Sequence, residues 1–258
     1  MINKLKRQIE KRILSRFLPN NFYFSKLGFC LCCDQPTEFL AYNPWLRDYF
    51  RCINCGSIPR ERALLKTLQA QFTNWRDLAI HESSPSKGGA SGRIRTECSS
   101  YVSSQYFPSH EFGSEVKGHR NENLEAMTFP NSSFDVVITQ DVLEHVYDPA
   151  AVFREVARTL KPGGAHVFTV PIVNKHCPSQ VWAVRNEDGS PRFLHEPDYH
   201  GNPVDPRGSP VTMRWGYDIV QFIKEASGLE TSIEYIDDLE LGVRAEYIEV
   251  LVTRKPVA

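Results

Sequence analysis

Four cysteines constrain this chain more than any other feature. Cys30 and Cys33 form one C-x2-C pair, and Cys52 and Cys55 form a second a short way downstream. A segment this small cannot build its own core, because below about 40 residues a metal, disulfides or a partner is normally needed. Two such pairs, each on a tight turn, let four thiolates converge as a tetrahedron, the spacing of a zinc ribbon. Four sulfur ligands close the coordination shell, so Zn²⁺ held by Cys30, Cys33, Cys52 and Cys55 is expected to be structural. Cys32 is the spare thiol, too close to Cys33 for both to ligate well. Cys98 and Cys177 stand alone and read as small apolar side chains.

Disulfides would need an oxidising compartment. Met1 to Pro19 lacks the continuous apolar core and small-residue cleavage site of a secretory signal. No apolar run reaches the roughly 18 residues of a membrane span, and a cytoplasmic protein is expected. The chain has 258 residues, 41% hydrophobic and 24% charged, enough for a sizeable core. Thirty Lys+Arg against 31 Asp+Glu give a net charge of -1. That balance argues against a nucleic-acid partner, whose phosphates call for a basic footprint.

Residues 1–20 predict an amphipathic helix. Ile2, Leu5, Ile9, Ile13 and Phe17 recur at helical spacing, while Lys4, Lys6, Arg7, Lys11, Arg12 and Arg16 take the other face. Such a helix suits peripheral contact of residues 2–18 with an anionic membrane, or packing on the domain or a second subunit. Residues 21–58 are the zinc segment. Residues 59–75 form a connecting helix, with Pro59 at its start. From residue 76 onward apolar stretches alternate with helical ones, the pattern of a parallel α/β sheet.

The clearest unit runs from Phe134 to Pro171. Phe134–Thr139 is a buried strand, Asp148 and Pro149 open a helix over 150–160, and Lys161-Pro-Gly-Gly164 breaks the chain before a strand at Ala165–Val170. Residues 172–212 then form a long, proline-rich stretch. A connection of that length in a compact domain is usually a functional loop or lid. A helix over Tyr217–Ala226 ends at Gly228, and strands at Leu229–Tyr235 and Tyr247–Thr253 close the domain at 258.

Residues 123–171 contain the string Asn123-Leu-Glu-Ala-Met-Thr-Phe-Pro-Asn-Ser-Ser-Phe-Asp-Val-Val-Ile138, then Gln140-Asp-Val-Leu-Glu-His-Val146 and Leu160-Lys-Pro-Gly-Gly164. In these runs the chain resembles a class I S-adenosylmethionine (SAM) dependent methyltransferase. Cys52-Ile-Asn-Cys-Gly-Ser-Ile-Pro-Arg-Glu-Arg62 is similar to zinc-ribbon segments that precede the catalytic domain in a bacterial branch of these enzymes. The resemblance implies a Rossmann-like α/β fold: a seven-stranded sheet with helices on both faces and an antiparallel last strand. Ligands in such sheets bind at the carboxyl ends of the strands.

The resemblance also implies SAM as cofactor and assigns residues to it. Glu82 matches the acidic position after the first strand, where Ser83, Ser84 and Pro85 replace the usual glycines. Gln105 stands where the family carries a ribose-binding acid, with Tyr106 beside it. Asn123 matches the residue that contacts the adenine amine, with Leu124 packing nearby. Gln140 and Asp141 border the methyl end. Glu144 and His145 read as packing or capping groups.

Methyl transfer needs an acceptor lone pair in line with the methyl group, and a base only when the acceptor must lose a proton. His200 is the first candidate base and His195 the second, because imidazole titrates near neutral pH. Asp141 is the expected orienting partner. Trp182, Tyr199 and Trp215 suggest an aromatic wall for a sugar ring or planar acceptor. These features predict O-methylation of a small-molecule or glycan-type acceptor. The alternatives are a ribosomal or transfer RNA methyltransferase, and a degenerate methyltransferase fold acting as a scaffold.

Overall fold

The computed structural model describes residues 24–202 and 204–257. The helix expected at residues 2–18 lies outside them. The chain divides into two compact units, one drawn from residues up to Asp77, Ser86–Ser99 and Glu234–Val250, the other from Leu78–Pro85, Ser100–Ile233 and Leu251 onward.

In the first unit, β1 (Phe24–Cys30), β2 (Gln35–Ala41) and β3 (Phe50–Cys52) form an antiparallel sheet in that order. Phe39 and Phe50 are fully buried, with ring centroids 5.6 Å apart. Helix α1 (Pro59–Gln71) follows. Its first turn is organised by Glu61, whose carboxylate accepts from the Ile58 amide at 3.0 Å. Arg62 is buried between α1 and the sheet. Its guanidinium lies 4.5 Å above the Phe39 ring and donates to the carbonyls of Phe50 (2.7 Å), Gly242 (2.6 Å) and Ser57. Helix α2 (Gly89–Glu97) packs in this unit too.

The second unit is built on an eight-stranded mixed sheet. Its strands are β4 (Ala79–Ser83), β5 (Ser100–Gln105), β6 (Glu115–Val116), β7 (His119–Asn121), β8 (Phe134–Gln140), β9 (Leu160–Thr169), and at the far edge two strands over Glu230–Glu234 and Val250–Arg254. From that edge the order is Glu230–Glu234, Val250–Arg254, β9, β8, β4, β5, β7, β6. The fold is the Rossmann-like α/β arrangement expected, with one strand more than seven. The extra strand is β6, two residues paired antiparallel to β7 at the opposite edge. The central strands run parallel, with Ile80 paired to both Tyr101 and Val136, and Val137 to His166.

Strand β9 starts earlier than the Pro-Gly-Gly run predicts. Leu160 pairs with Phe134, and the register then shifts before Val136 meets Ala165. Lys161–Gly164 is therefore a bulge inside the strand. Gly163 takes φ +80°, and a side chain at Gly164 would press on the Asp135 carbonyl. Lys161 Nζ holds the Asp135 carboxylate at 2.8 Å.

Helix α3 (Pro149–Thr159) begins as expected. Asp148 Oδ1 accepts from the Ala151 amide at 2.9 Å, and Pro149 occupies the first turn. Helix α4 (Ile219–Ser227) ends at Gly228, whose φ of 75° is the left-handed conformation that favours glycine. Val152, Phe153 and Val156 of α3 meet Ile219 and Ile223 of α4 in one core with Phe168, Val170 and Leu251. Trp215 belongs to this core. It is fully buried, its Nε1 donating to the Leu143 carbonyl at 3.3 Å, so it takes no part in an aromatic wall.

The stretch after β9 is more ordered than its prolines suggest. Among its described residues are three antiparallel pairs: β10 (Gln180–Val181) with β15 (Met213–Arg214), β11 (Ala183–Arg185) with β12 (Pro191–Phe193), and β13 (Tyr199–His200) with β14 (Ser209–Pro210). Thr212 fastens it to the segment after β8, its amide donating to the Glu144 carbonyl at 2.7 Å and its hydroxyl to the Val146 carbonyl at 2.5 Å. The final edge strands are β16 (Glu230–Glu234) and β17 (Val250–Arg254). No helix among the described residues is long and apolar enough to cross a membrane.

Candidate functional site

The carboxyl ends of β4, β5 and β8 lie side by side, and several sequence-selected residues meet there. Glu82 is fully buried near the end of β4. Its carboxylate accepts from the Tyr101 hydroxyl at 2.8 Å and from Gln140 Nε2 at 2.9 Å. Ser83 is buried, and the Ser84 amide donates to the Ser104 carbonyl at 2.8 Å. Gln105 ends β5, nearly buried, and its carbonyl accepts from the Glu122 amide. Tyr106 is exposed and stacks on Phe112, with centroids 6.0 Å apart. Asn123 Oδ1 accepts from the Glu125 amide at 3.0 Å, while Leu124 is buried in the core.

Two backbone positions mark the rim. Ser84 follows β4 and Asp141 follows β8, and both take positive φ, 54° and 53°. Left-handed backbone at a residue other than glycine costs about 1 kcal/mol or more and gathers at functional sites. Asp141 is held by the Thr169 carbonyl, which accepts from its amide, and by the Thr169 hydroxyl, which donates to Oδ1 at 3.0 Å.

Asn121 and Glu122 were not singled out in the sequence. The Asn121 amide group donates to the carbonyls of Phe107, His110 and Glu111 and accepts from the Phe107 amide, shaping the loop after β5. Glu122 is buried against Arg120 and Thr128. No periodicity or motif flags such residues. Only the return of the chain through β7 brings them to the loop they support.

The acceptor candidates do not form one group. His195 stacks on Trp182, with centroids 4.2 Å apart, and its Nε2 lies 3.0 Å from Gln180 Nε2. Arg214 covers the Trp182 ring at 3.5 Å and pairs with Asp198 at 3.0 Å. His200 instead stands beside Glu144 and His145. Its Nδ1 is 3.8 Å from Glu144 Oε1, and the two imidazole rings cross at 88° with centroids 5.0 Å apart. The Glu144 carboxylate raises the pKa of His200 above its usual value, against the opposing effect of burial. Glu144 and His145 precede α3 in a turn rather than serving as helix caps.

Two other histidines are structural. His81 and His166 are fully buried, with Nε2 atoms 2.7 Å from the Ser104 hydroxyl and 3.0 Å from the Thr139 hydroxyl. Burial pushes each pKa down to about 3, so both are neutral at pH 7.

In the first unit the four paired cysteines converge. The Sγ atoms of Cys30, Cys33, Cys52 and Cys55 all lie within 4.8 Å of one another, with Cys30–Cys55 at 3.7 Å and Cys33–Cys52 at 3.8 Å. Sulfurs about 2.3 Å from a tetrahedral zinc ion stand roughly 3.8 Å apart, so the donor set fits Zn²⁺. Each pair closes on a left-handed residue, Asp34 at φ 54° and Gly56 at φ 78°. The amides of these residues donate to the Cys30 and Cys52 carbonyls at 2.8 Å each. Cys32 is buried outside this group.

Residues 102–168, from β5 to β9, match the family model described as a methyltransferase domain. A sarcosine/dimethylglycine N-methyltransferase from Aphanothece halophytica is 39% identical over 59 residues, 23% of this chain and 21% of that one. A ubiquinone biosynthesis O-methyltransferase from Ruegeria pomeroyi is 32% identical over 76 residues, 30% of each chain. Among solved structures, an S-adenosylmethionine dependent methyltransferase from Mesorhizobium loti aligns with a TM-score of 0.47 at 18% identity, covering 75% of this chain and 98% of that one. The segments matched span about a fifth to a third of the length of these curated relatives.

Proposed function

We propose that this chain is a SAM-dependent methyltransferase acting on an oxygen of a small-molecule or glycan-type acceptor. The observation that carries the reading is the meeting of Glu82, Gln140 and the strained Ser84 and Asp141 backbones at the carboxyl ends of β4 and β8. That is where sheets of this kind take their ligands. The match of residues 102–168 to a methyltransferase domain supports it. The ubiquinone biosynthesis O-methyltransferase among the relatives supports an oxygen acceptor.

Bound SAM supplies an electrophilic methyl group. The chain's part is binding, orientation and desolvation. Glu82, Ser83 and Ser84 offer carboxylate, hydroxyl and backbone groups after β4. Gln105 and Tyr106 offer an amide oxygen and an aromatic ring after β5. Asn123 offers a carbonyl acceptor for an amine, with Leu124 behind it. On the acceptor side stand Asp141, Glu144, His145 and His200, with His195 and Trp182 further along the insertion. The Glu144 carboxylate shifts the pKa of His200 upward.

The same reading assigns structural Zn²⁺ to Cys30, Cys33, Cys52 and Cys55, which would join the turn after β1 to the end of β3 and couple metal binding to folding there. The balanced charge argues against a nucleic-acid partner.

The test is calorimetric titration of zinc-loaded protein with SAM and S-adenosylhomocysteine. Micromolar binding that Asn123→Ala weakens at least tenfold is the expected result. No binding at millimolar ligand, by protein with an intact melting transition, sinks the enzymatic reading and favours a scaffold.

A further inference from the structure

We propose that Glu144, His145 and His200 bind a divalent first-row transition-metal ion, separate from the four-cysteine group. The carboxylate of Glu144 is buried, the residue being 2% exposed, and neither of its oxygens has a hydrogen-bond partner among the described residues. A bare buried carboxylate is among the costliest groups a fold can hold, so an unmet one calls for a counter-charge. His145 Nε2 and His200 Nδ1 both face the same oxygen, Oε1, each at 3.8 Å, beyond hydrogen-bond reach.

One hydrogen bond fixes the tautomer of His145. Its Nδ1 lies 2.8 Å from the Pro210 carbonyl. A carbonyl only accepts, so Nδ1 carries the hydrogen. In the neutral ring Nε2 then presents its lone pair to a carboxylate oxygen. Two electron-rich atoms face each other with no donor between them. A single dication meets all three atoms at once.

The geometry accommodates it. The three donor atoms lie within 4.8 Å of one another. Ligands about 2.1 Å from one ion stand roughly 3.0–3.5 Å apart, so closure needs movements of about 1 Å or less by each side chain. The Pro210 carbonyl acts as the outer partner that fixes a ligating imidazole. Thr212 pins the Glu144 backbone, and the β13–β14 pairing carries His200 over it. Two imidazoles and one carboxylate suit Zn²⁺, Co²⁺, Ni²⁺ or Fe²⁺ better than Mg²⁺ or Ca²⁺, which prefer oxygen. The His200 side chain is 45% exposed, so the remaining coordination positions open to solvent. Three protein ligands with an open position can take an oxygen of a second molecule. That the second molecule is the methyl acceptor rests on the methyltransferase reading; the binding of the ion does not.

Cobalt distinguishes the two metal groups. Full-length protein is loaded with one equivalent of zinc, which the four thiolates take first, then desalted and titrated with Co²⁺ while visible absorption is followed. One equivalent binding with weak ligand-field bands and no thiolate charge-transfer is expected. Glu144→Gln and His200→Ala should each weaken it at least tenfold. His200 is half-exposed, so its variant should keep the wild-type melting temperature and serves as the control for folding. No absorption at millimolar Co²⁺, absorption of thiolate type alone, or equal binding by both variants overturns the proposal. Titration with S-adenosylhomocysteine on the same samples separates the two ideas. Cofactor binding without cobalt binding overturns only the metal site, and cobalt binding without cofactor binding overturns only the methyltransferase reading.

Discussion

The carboxylate of Glu82 accepts a 2.9 Å hydrogen bond from Nε2 of Gln140, which ties the ends of two neighbouring strands together beneath the proposed cofactor site. Both residues are 58 positions apart in the chain, and the parallel pairing of β4 with β8 makes them neighbours. The Tyr101 hydroxyl holds the other carboxylate oxygen from β5, so one side chain couples three strands. Glu82→Gln keeps the shape but turns an acceptor toward a donor. Affinity for S-adenosylhomocysteine is expected to fall at least tenfold by calorimetry, with stability lowered by about 1–3 kcal/mol. Unchanged affinity in the folded variant would remove Glu82 from the site.

Acid stability should reflect the two buried histidines. His81 and His166 have folded pKa values near 3, against about 6.5 in the unfolded chain. Between those values the unfolded state binds protons that the folded state refuses. Stability is therefore full above about pH 6.5 and falls as pH drops toward 3, by about 1.4 kcal/mol per pH unit for each histidine. Urea denaturation at pH 7 and pH 5 measures the slope. His166→Asn should flatten it by about one histidine's share, and an unaltered slope would count against this account.

Arg62 serves several partners at once in the first unit. One buried guanidinium serves the carbonyls of Phe50, Ser57 and Gly242 and lies on the Phe39 ring. Arg62→Ala leaves those carbonyls unsatisfied, with an expected cost of about 3–5 kcal/mol. Arg62→Lys should recover little, because an ammonium cannot reproduce the planar fork. A lysine variant as stable as wild type in urea would show that charge alone matters here.

Chelation probes the four cysteines. Removing zinc, or substituting Cys52→Ser, should lower the melting temperature and expose Cys30, Cys33 and Cys55 to thiol reagents, since metal binding and folding are coupled. A chelated protein with unchanged melting and unreactive thiols would leave the four-sulfur group without a metal role.

Ser84→Gly tests the strain beside β4. Glycine adopts φ near +54° without steric cost, though it frees the unfolded chain. The balance should lie within about 1 kcal/mol of wild type, in contrast to Ser84→Val, which should lose 1 kcal/mol or more because a β-branched residue resists the left-handed region. Equal stability of the two variants in urea would show that the position relaxes freely.

Much of this protein is local in origin and so could be read from its sequence. The C-x2-C spacing brings sulfurs together because each pair spans one turn. Asp148-Pro149 starts a helix and Gly228 ends one because capping depends on a few adjacent residues. The alternation from β8 to β9 marks a parallel sheet because buried strands and amphipathic helices carry different periods. Other features had no local signal. Trp215 could have lined a wall or filled a core, and only the meeting of α3 with α4 put it in the core. Pro162-Gly163-Gly164 has the chemistry of a break, yet pairing with β8 absorbs it as a bulge. His200 and His195 looked alike on the chain, but the pairing of β13 with β14 sets one beside Glu144 while Trp182 takes the other. Short-range chemistry determines which turns, caps and strands form. Long-range pairing decides which charges become neighbours, because a buried carboxylate and an imidazole from a distant hairpin share an environment only after the chain has closed around them.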